Sequence, residues 1–157
     1  MNDAGVRPFS IRALLEDRAR YLVPMYQRNY AWGEGEITQL LQDVLDYQQK
    51  LVSGKGPQTY YIGTLVVFAR DDGSFEVIDG QQRFTTLSLL ANWLKHHAID
   101  SVDMSWYQTI NLAFESRPIS SHTFERLWQG VAPYDLRGST FNEGLVNGFE
   151  LIDKAMA

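Results

Sequence analysis

The chain contains no cysteine, so disulfides, thiolate catalysis and Cys-based zinc sites are excluded outright. Histidine is scarce as well, with only His96, His97 and His122. The first two are adjacent near the end of a predicted helix, where cationic side chains are favoured, and read as surface residues rather than ligands. His122 sits beside a predicted cap, so nothing here assembles a metal-bound nuclease centre. Positive charge is short: 14 Lys and Arg stand against 19 Asp and Glu, for a net charge of −5. A protein that grips duplex DNA by its phosphates normally shows a basic face, and bulk composition advertises none. Long apolar runs are missing too. No segment approaches the ~20 residues of a membrane helix, and the start, Met1 to Arg7, lacks the apolar core of a signal peptide. The expectation is a cytoplasmic protein with no membrane partner.

What remains is the composition of an ordinary globular protein. The 157 residues are enough for one domain with a real core, and 45% are hydrophobic and 21% charged. Aromatics reach 13%, which serves core packing and leaves material for a binding surface.

Ser10 is placed to cap a short helix with Ile11, Leu14 and Leu15 on one side. Tyr21-Leu22-Val23 reads as a brief strand stopped by Pro24. Met25 to Trp32 is aromatic without a period and reads as an ordered loop. From Glu36, the positions Ile37, Leu40, Leu41, Val44 and Leu45 form one helical stripe, ended by Ser53-Gly54-Lys55-Gly56-Pro57. Glu34 and Glu36 lie near its start, where the helix dipole favours negative charge. Tyr60 to Phe68 is predicted as a strand, Asp72-Gly73 as its turn and Phe75 to Ile78 as the return arm of a hairpin. Gly80 breaks that arm. In the helix that follows, Phe84, Leu87, Leu90, Ala91 and Leu94 are predicted to face the core, with Thr85, Ser88, Asn92 and Lys95 on the other side. Further on, Ile110, Leu112 and Phe114 alternate as in a strand, while the residues before them read equally as helix. Ser121 is predicted to cap a helix bearing Phe124, Leu127 and Trp128. Leu145, Phe149 and Ile152 mark a last helix without a stop signal, as in a piece of a longer protein.

The most informative stretch is Val77-Ile78-Asp79-Gly80-Gln81-Gln82-Arg83-Phe84-Thr85-Thr86. A strand delivers the chain to Asp79, Gly80 permits a sharp turn, and a helix begins at once. A helix start offers backbone N–H groups and the positive end of its dipole to an anion. Arg83 adds a planar fork of donors suited to phosphate oxygens. Gln81 and Gln82 can read a sugar or base edge. Thr85 and Thr86 carry hydroxyls of the kind that hold phosphate or a magnesium ion's water, and Asp79 could bind that ion or order Arg83. A purely structural account competes with this: Asp79 as cap, Gly80 as turn, Arg83 paired with Asp79. It leaves unexplained a polar cluster set between an apolar strand and an apolar helix. The motif is not a P-loop. A second cluster, Pro24 to Trp32, brings Gln27 and Arg28 with Tyr26, Tyr30 and Trp32. Those rings could stack on a base or a guanidinium, or simply fill the core.

Three motifs in order make the sequence recognisable. Val-Pro-Met-Tyr-Gln-Arg-Asn-Tyr-Ala-Trp, then Tyr-Ile-Gly-Thr-Leu-Val-Val, then Val-Ile-Asp-Gly-Gln-Gln-Arg-Phe-Thr-Thr-Leu together resemble the N-terminal domain of GmrSD-type restriction endonucleases, related to the ParB and sulfiredoxin-like fold. The match runs over residues 10 to 95, with Phe84 where the family more often has Leu. Phe114-Glu115-Ser116-Arg117 is similar to the family's later segment ending in Arg. The resemblance implies phage defence directed at modified DNA, and a nucleotide site that regulates a nuclease. Carried over by position, Asp79, Gly80, Gln81, Gln82 and Arg83 match the nucleotide motif, Gln27 and Arg28 the earlier one and Arg117 the later segment, and these would bind the nucleotide. By their own chemistry Thr85 and Thr86 join that binding set, and Asp79, Gln82 and Arg83 are expected to act in hydrolysis, with Asp79 at the metal.

The expected architecture is α+β, a small mixed sheet packed with helices. Residues 1–100 form the nucleotide-binding part and residues 101–157 a helical extension. The expected ligands are GTP, ATP, CTP or UTP with Mg²⁺. DNA and a nuclease domain, in cis or trans, would be partners through the full-length protein. Two other readings use the same residues: a non-catalytic sensor of modified DNA backbone, and a ParB-like nickase, which the lack of an acidic metal cluster weakens.

Overall fold

Ser10 accepts the Ala13 N–H at 3.0 Å and so caps α1, Ile11–Glu16, as its position in the sequence foretells. In the computed structural model, the described residues are 10–24, 30–52, 54, 63–98, 103–138 and 140–156. After α1 come β1 (Tyr21–Val23), α2 (Glu34–Val52), β2 (Val66–Ala69), β3 (Phe75–Asp79) and α3 (Gln81–His97). The second half adds β4 (Leu112–Phe114), α4 (Pro118–Trp128), a 3₁₀ turn at Pro133–Asp135 and α5 (Glu143–Met156). The fold is α+β, a four-stranded mixed sheet in the order β2-β3-β1-β4 with helices against it.

β1 runs parallel to both β3 and β4, whereas β2 is antiparallel to β3. The period-2 alternation of strands puts Tyr21, Val23, Val77, Leu112 and Phe114 on the core face, where all are buried. Leu15, Phe84, Phe124, Leu145, Phe149 and Ile152 complete that core. The expected division near residue 100 crosses the sheet. β4 comes from the later part and pairs with β1, and α5 packs on α3.

Several expectations need correction. The strand predicted over Tyr60 to Phe68 is observed only as Val66–Ala69, with residues 60–62 outside the described set and Gly63 to Leu65 not strand. Ser121 is not a cap. Arg117 holds that position and Pro118 opens α4, where its fixed φ and missing N–H suit the first turn. The polar side of α3 does not face solvent: Thr85, Ser88 and Asn92 are 2%, 0% and 0% exposed. The cause is a helix covered on more than one side. α5 packs on it, and Lys95 donates to the Tyr107 carbonyl while lying over the Trp128 ring. Along α2 Ile37 and Leu40 are buried, whereas Val44 and Leu45 are exposed.

Candidate functional site

Because β1, β3 and β4 are parallel, their carboxyl ends share one edge of the sheet. Ligands of such sheets bind where the chain leaves the strands at that edge. Here β1 ends at Val23-Pro24 on the way to Gln27 and Arg28, β3 ends at Asp79-Gly80, and β4 ends before Glu115-Ser116-Arg117. The strand ends therefore gather the segments that carry the three arginine-bearing motifs. Gln27 and Arg28 themselves lie outside the described residues.

Gly80 makes the turn from β3 into α3 with φ 93°, in the left-handed region. A Cβ there would stand 2.7 Å from the Thr64 carbonyl oxygen, so the chain entering β2 passes directly over the turn. Phe84 N then donates to Gly80 O at 2.9 Å and the helix is under way.

Arg83 lies in that first turn, half-buried. Its guanidinium carbon is 5.9 Å from the centre of the Trp32 ring, and a Cβ at Gly63 would be 2.3 Å from its Nη1. The guanidinium is thus set between an aromatic ring and a glycine backbone. No carboxylate of the described residues forms an ion pair with it, and its Nε is buried without a hydrogen-bond partner. Asp79 does not pair with Arg83. Its exposed carboxylate accepts the Gly80 N–H at 3.0 Å.

Gln81 and Gln82 are both 8% exposed. Gln82 Oε1 accepts the Ala31 N–H at 2.8 Å, and the Thr86 hydroxyl is 2.7 Å from the Tyr30 hydroxyl. These two bonds dock the end of the first motif onto the helix of the third. Burial pushes the Tyr30 phenol up to about 12, against the opposing hydrogen bond from Thr86. Thr85 and Thr86 also donate to the Gln81 and Gln82 carbonyls at 2.7 and 2.9 Å. Both hydroxyls are therefore committed to the interior rather than presented at the surface. Arg117 is half-buried at the carboxyl end of β4, beside Ser116, which adopts φ 58°.

A groove of about 670 Å³ opens nearby, lined by Trp32, Asn147, Glu150, Asp153 and Lys154 among others. Trp32 belongs to it and to the Arg83 stack; Arg83 does not line it. Among the described residues no group of three or more His, Asp or Glu could hold a metal ion. The sequence reading missed Gly63 as a wall of the site, although it lies in the second motif. It also missed the cluster in which Arg70 bonds Glu76 and Glu115, each at 2.7 Å, because three strands must come together to form it.

The N-terminal domain of GmrSD restriction endonucleases has a family model, and that model matches residues 11–154. The chain belongs to this family. No curated protein gave a significant match. The GmrSD model spans the boundary at residue 100, as the shared sheet does. Membership makes the chain a domain of a restriction system, and among the described residues no helix is long and apolar enough to cross a membrane.

Proposed function

We propose that this GmrSD domain binds a nucleoside triphosphate at the carboxyl edge of its parallel strands and hydrolyses it, and so regulates a nuclease that acts on modified DNA. One observation carries the reading: the Arg83 guanidinium is held on Trp32 at a helix start, with no carboxylate of the described residues paired to it. A cation kept in place without a counter-ion is prepared for an anion from outside, and a planar fork suits phosphate. The helix dipole adds to the attraction.

Gly80 admits the close backbone approach, and Gln81 and Gln82 flank it. Arg117 and, from the first motif, Arg28 would bring further positive charge to the same edge. Thr85 and Thr86 support the site from below by fixing the helix and Tyr30. Magnesium fits only in part. Asp79 offers a single exposed carboxylate, so the ion would arrive with the phosphates, which supply its remaining oxygens. Bound there, it would neutralise charge on the phosphate oxygens. Arg83 would orient and stabilise the phosphoryl group, and Asp79 and Gln82 would place water.

The test is a panel of melting curves with GTP, ATP, CTP and UTP, each with magnesium. A ligand at a hundred times its Kd stabilises by about 2.7 kcal/mol, so at least one nucleotide should raise the melting temperature by several degrees. Arg83→Ala should fold and lose that shift. An Arg83→Ala protein that keeps the full shift refutes the assignment.

A further inference from the structure

Three charged side chains meet on the face of the sheet turned away from the core. The register sets Glu76 beside Phe68 of β2 and Leu22 of β1, and Leu22 beside Ala113 of β4, while Val77 takes the core side. Strand alternation puts Arg70, two positions after Phe68, and Glu115, two positions after Ala113, on that same outer face. The Arg70 guanidinium joins them. Its Nε and Nη2 donate to one oxygen of Glu76 at 3.2 and 2.7 Å, and its Nη1 and Nη2 donate to the two oxygens of Glu115 at 2.7 and 3.2 Å. Exposed ion pairs contribute little one at a time, but a partly buried guanidinium held in a fixed fork adds geometric specificity. We propose that Arg70 is a positioning residue for the nucleotide: by fixing Glu115 it sets the turn that places Arg117 at the carboxyl edge of the sheet. This inference rests on the nucleotide reading above.

The backbone around Glu115 shows why its placement matters. Its N–H donates to the Val23 carbonyl at 2.9 Å, a rung beyond Phe114 and just before Pro24 leads β1 away toward Gln27 and Arg28. Ser116 follows with φ 58°, and among the described residues no other non-glycine residue has a positive φ. A side chain in that left-handed region is unfavourable and persists where the surroundings over-determine it. Arg117 N donates to Phe114 O at 3.4 Å, and Arg117 O accepts from Ser121 N at 3.1 Å. Arg117 therefore stands between a tight turn and the start of α4.

The helix anchors the downstream side of that turn. Upstream, the anchors are the Glu115 amide and the Arg70 fork on its carboxylate. With the fork gone, Ser116 is free to relax from its strained φ, and Arg117 shifts with it. Arg70 acts from a distance. Its N–H donates to Ser74 O at the hairpin turn, at the end of β3 opposite Gly80. It therefore reaches across β1 to influence a site that it does not touch.

The test is a double-mutant cycle read by titration calorimetry, with magnesium and whichever of GTP, ATP, CTP and UTP most stabilises the wild type. Arg70→Met and Glu115→Met should each raise Kd about tenfold, the loss of one charge-assisted hydrogen bond to phosphate. The double variant should bind no more weakly than the weaker single variant, because both changes break one connection. Arg12→Met removes an exposed ion pair with Glu16, controls for the lost positive charge, and should bind as the wild type does. A fork that only stabilises the sheet would lower the ligand-free melting temperature and leave Kd unchanged, and that result overturns the inference. Additive losses in the double variant overturn it too. Should Arg70→Met fail to fold, the Kd of Glu115→Met decides alone. A wild type that binds none of the four nucleotides sinks the nucleotide reading and this inference together, whereas binding untouched by Arg70→Met sinks this inference only.

Discussion

Arg83 keeps a buried Nε without a partner, an arrangement that costs on the order of 1–3 kcal/mol and is tolerated where a ligand completes it. Gly80 has no substitute of its own kind. Its φ of 93° and the 2.7 Å approach of the Thr64 carbonyl both penalise a methyl group. Gly80→Ala should destabilise by about 1–3 kcal/mol, read as a melting temperature several degrees lower. Tyr30 offers a milder case. Tyr30→Phe removes the bond to Thr86 and should cost about 1 kcal/mol. The same residue sets an alkaline limit. Its phenol titrates near 12 when folded against 10.0 ordinarily, so its contribution is intact below pH 10.0 and is lost as pH rises toward 12. Urea titrations at pH 9 and pH 11.5 should show a larger loss in the wild type than in Tyr30→Phe, which keeps the buried Tyr107 phenol, also raised by desolvation. Trp32 was legible only as one ring of an aromatic stretch, since its choice of Arg83 depends on a contact 51 positions away.

Among the elements, α3 departs most from its pattern. Periodicity assigns it a polar side, yet Asn92 is fully buried with neither amide atom hydrogen-bonded within the protein. Desolvating such a group without a partner is unfavourable. Asn92→Leu, close in shape, should be neutral or stabilising, with a melting temperature equal to or above that of the wild type; a large drop would show that the amide has a partner, such as a buried water. The sheet depends on Arg70, which ties β3 to the chain after β4 through Glu76 and Glu115. The hydrogen bond from Arg70 holds the Glu115 carboxyl below the usual carboxylate range. A lowered carboxylate contributes above its unfolded pKa and loses that contribution as pH falls through the folded value. Glu115→Gln should therefore flatten the acid side of the stability curve, measured by melting between pH 3 and pH 6. The short strand β1 was readable because Pro24 stops it, whereas β4 was only one of two readings, because its alternation spans too few residues to exclude a helix. The lower part of the second motif was not readable, because Gly63 to Leu65 is shaped by Arg83 and Gly80 rather than by its own β-branched residues.

At the scale of the molecule, the later part of the chain is not an appendage to the sheet. β4 pairs with β1, and Leu145, Val146, Phe149 and Ile152 of α5 are buried in the common core. A chain ending at residue 100 should lose cooperative unfolding, with no sharp thermal transition by circular dichroism, whereas residues 11–154 should keep it. Local sequence determined the element order, the cap at Ser10, the strand-to-helix turn at Gly80, the family and the candidacy of Arg83. Each of these is written in neighbouring residues: a hydroxyl before a helix, a glycine after a strand, a motif read in order. Tertiary structure alone decided that the carboxyl ends of three parallel strands meet at one edge. It also decided that Thr85 and Thr86 turn inward, that Asp79 accepts the Gly80 N–H rather than pairing with Arg83, and that Val66, Val67 and Phe68 are exposed. Those outcomes depend on which distant segments arrive beside a residue and remove its water, and side-chain spacing along one element carries no record of that.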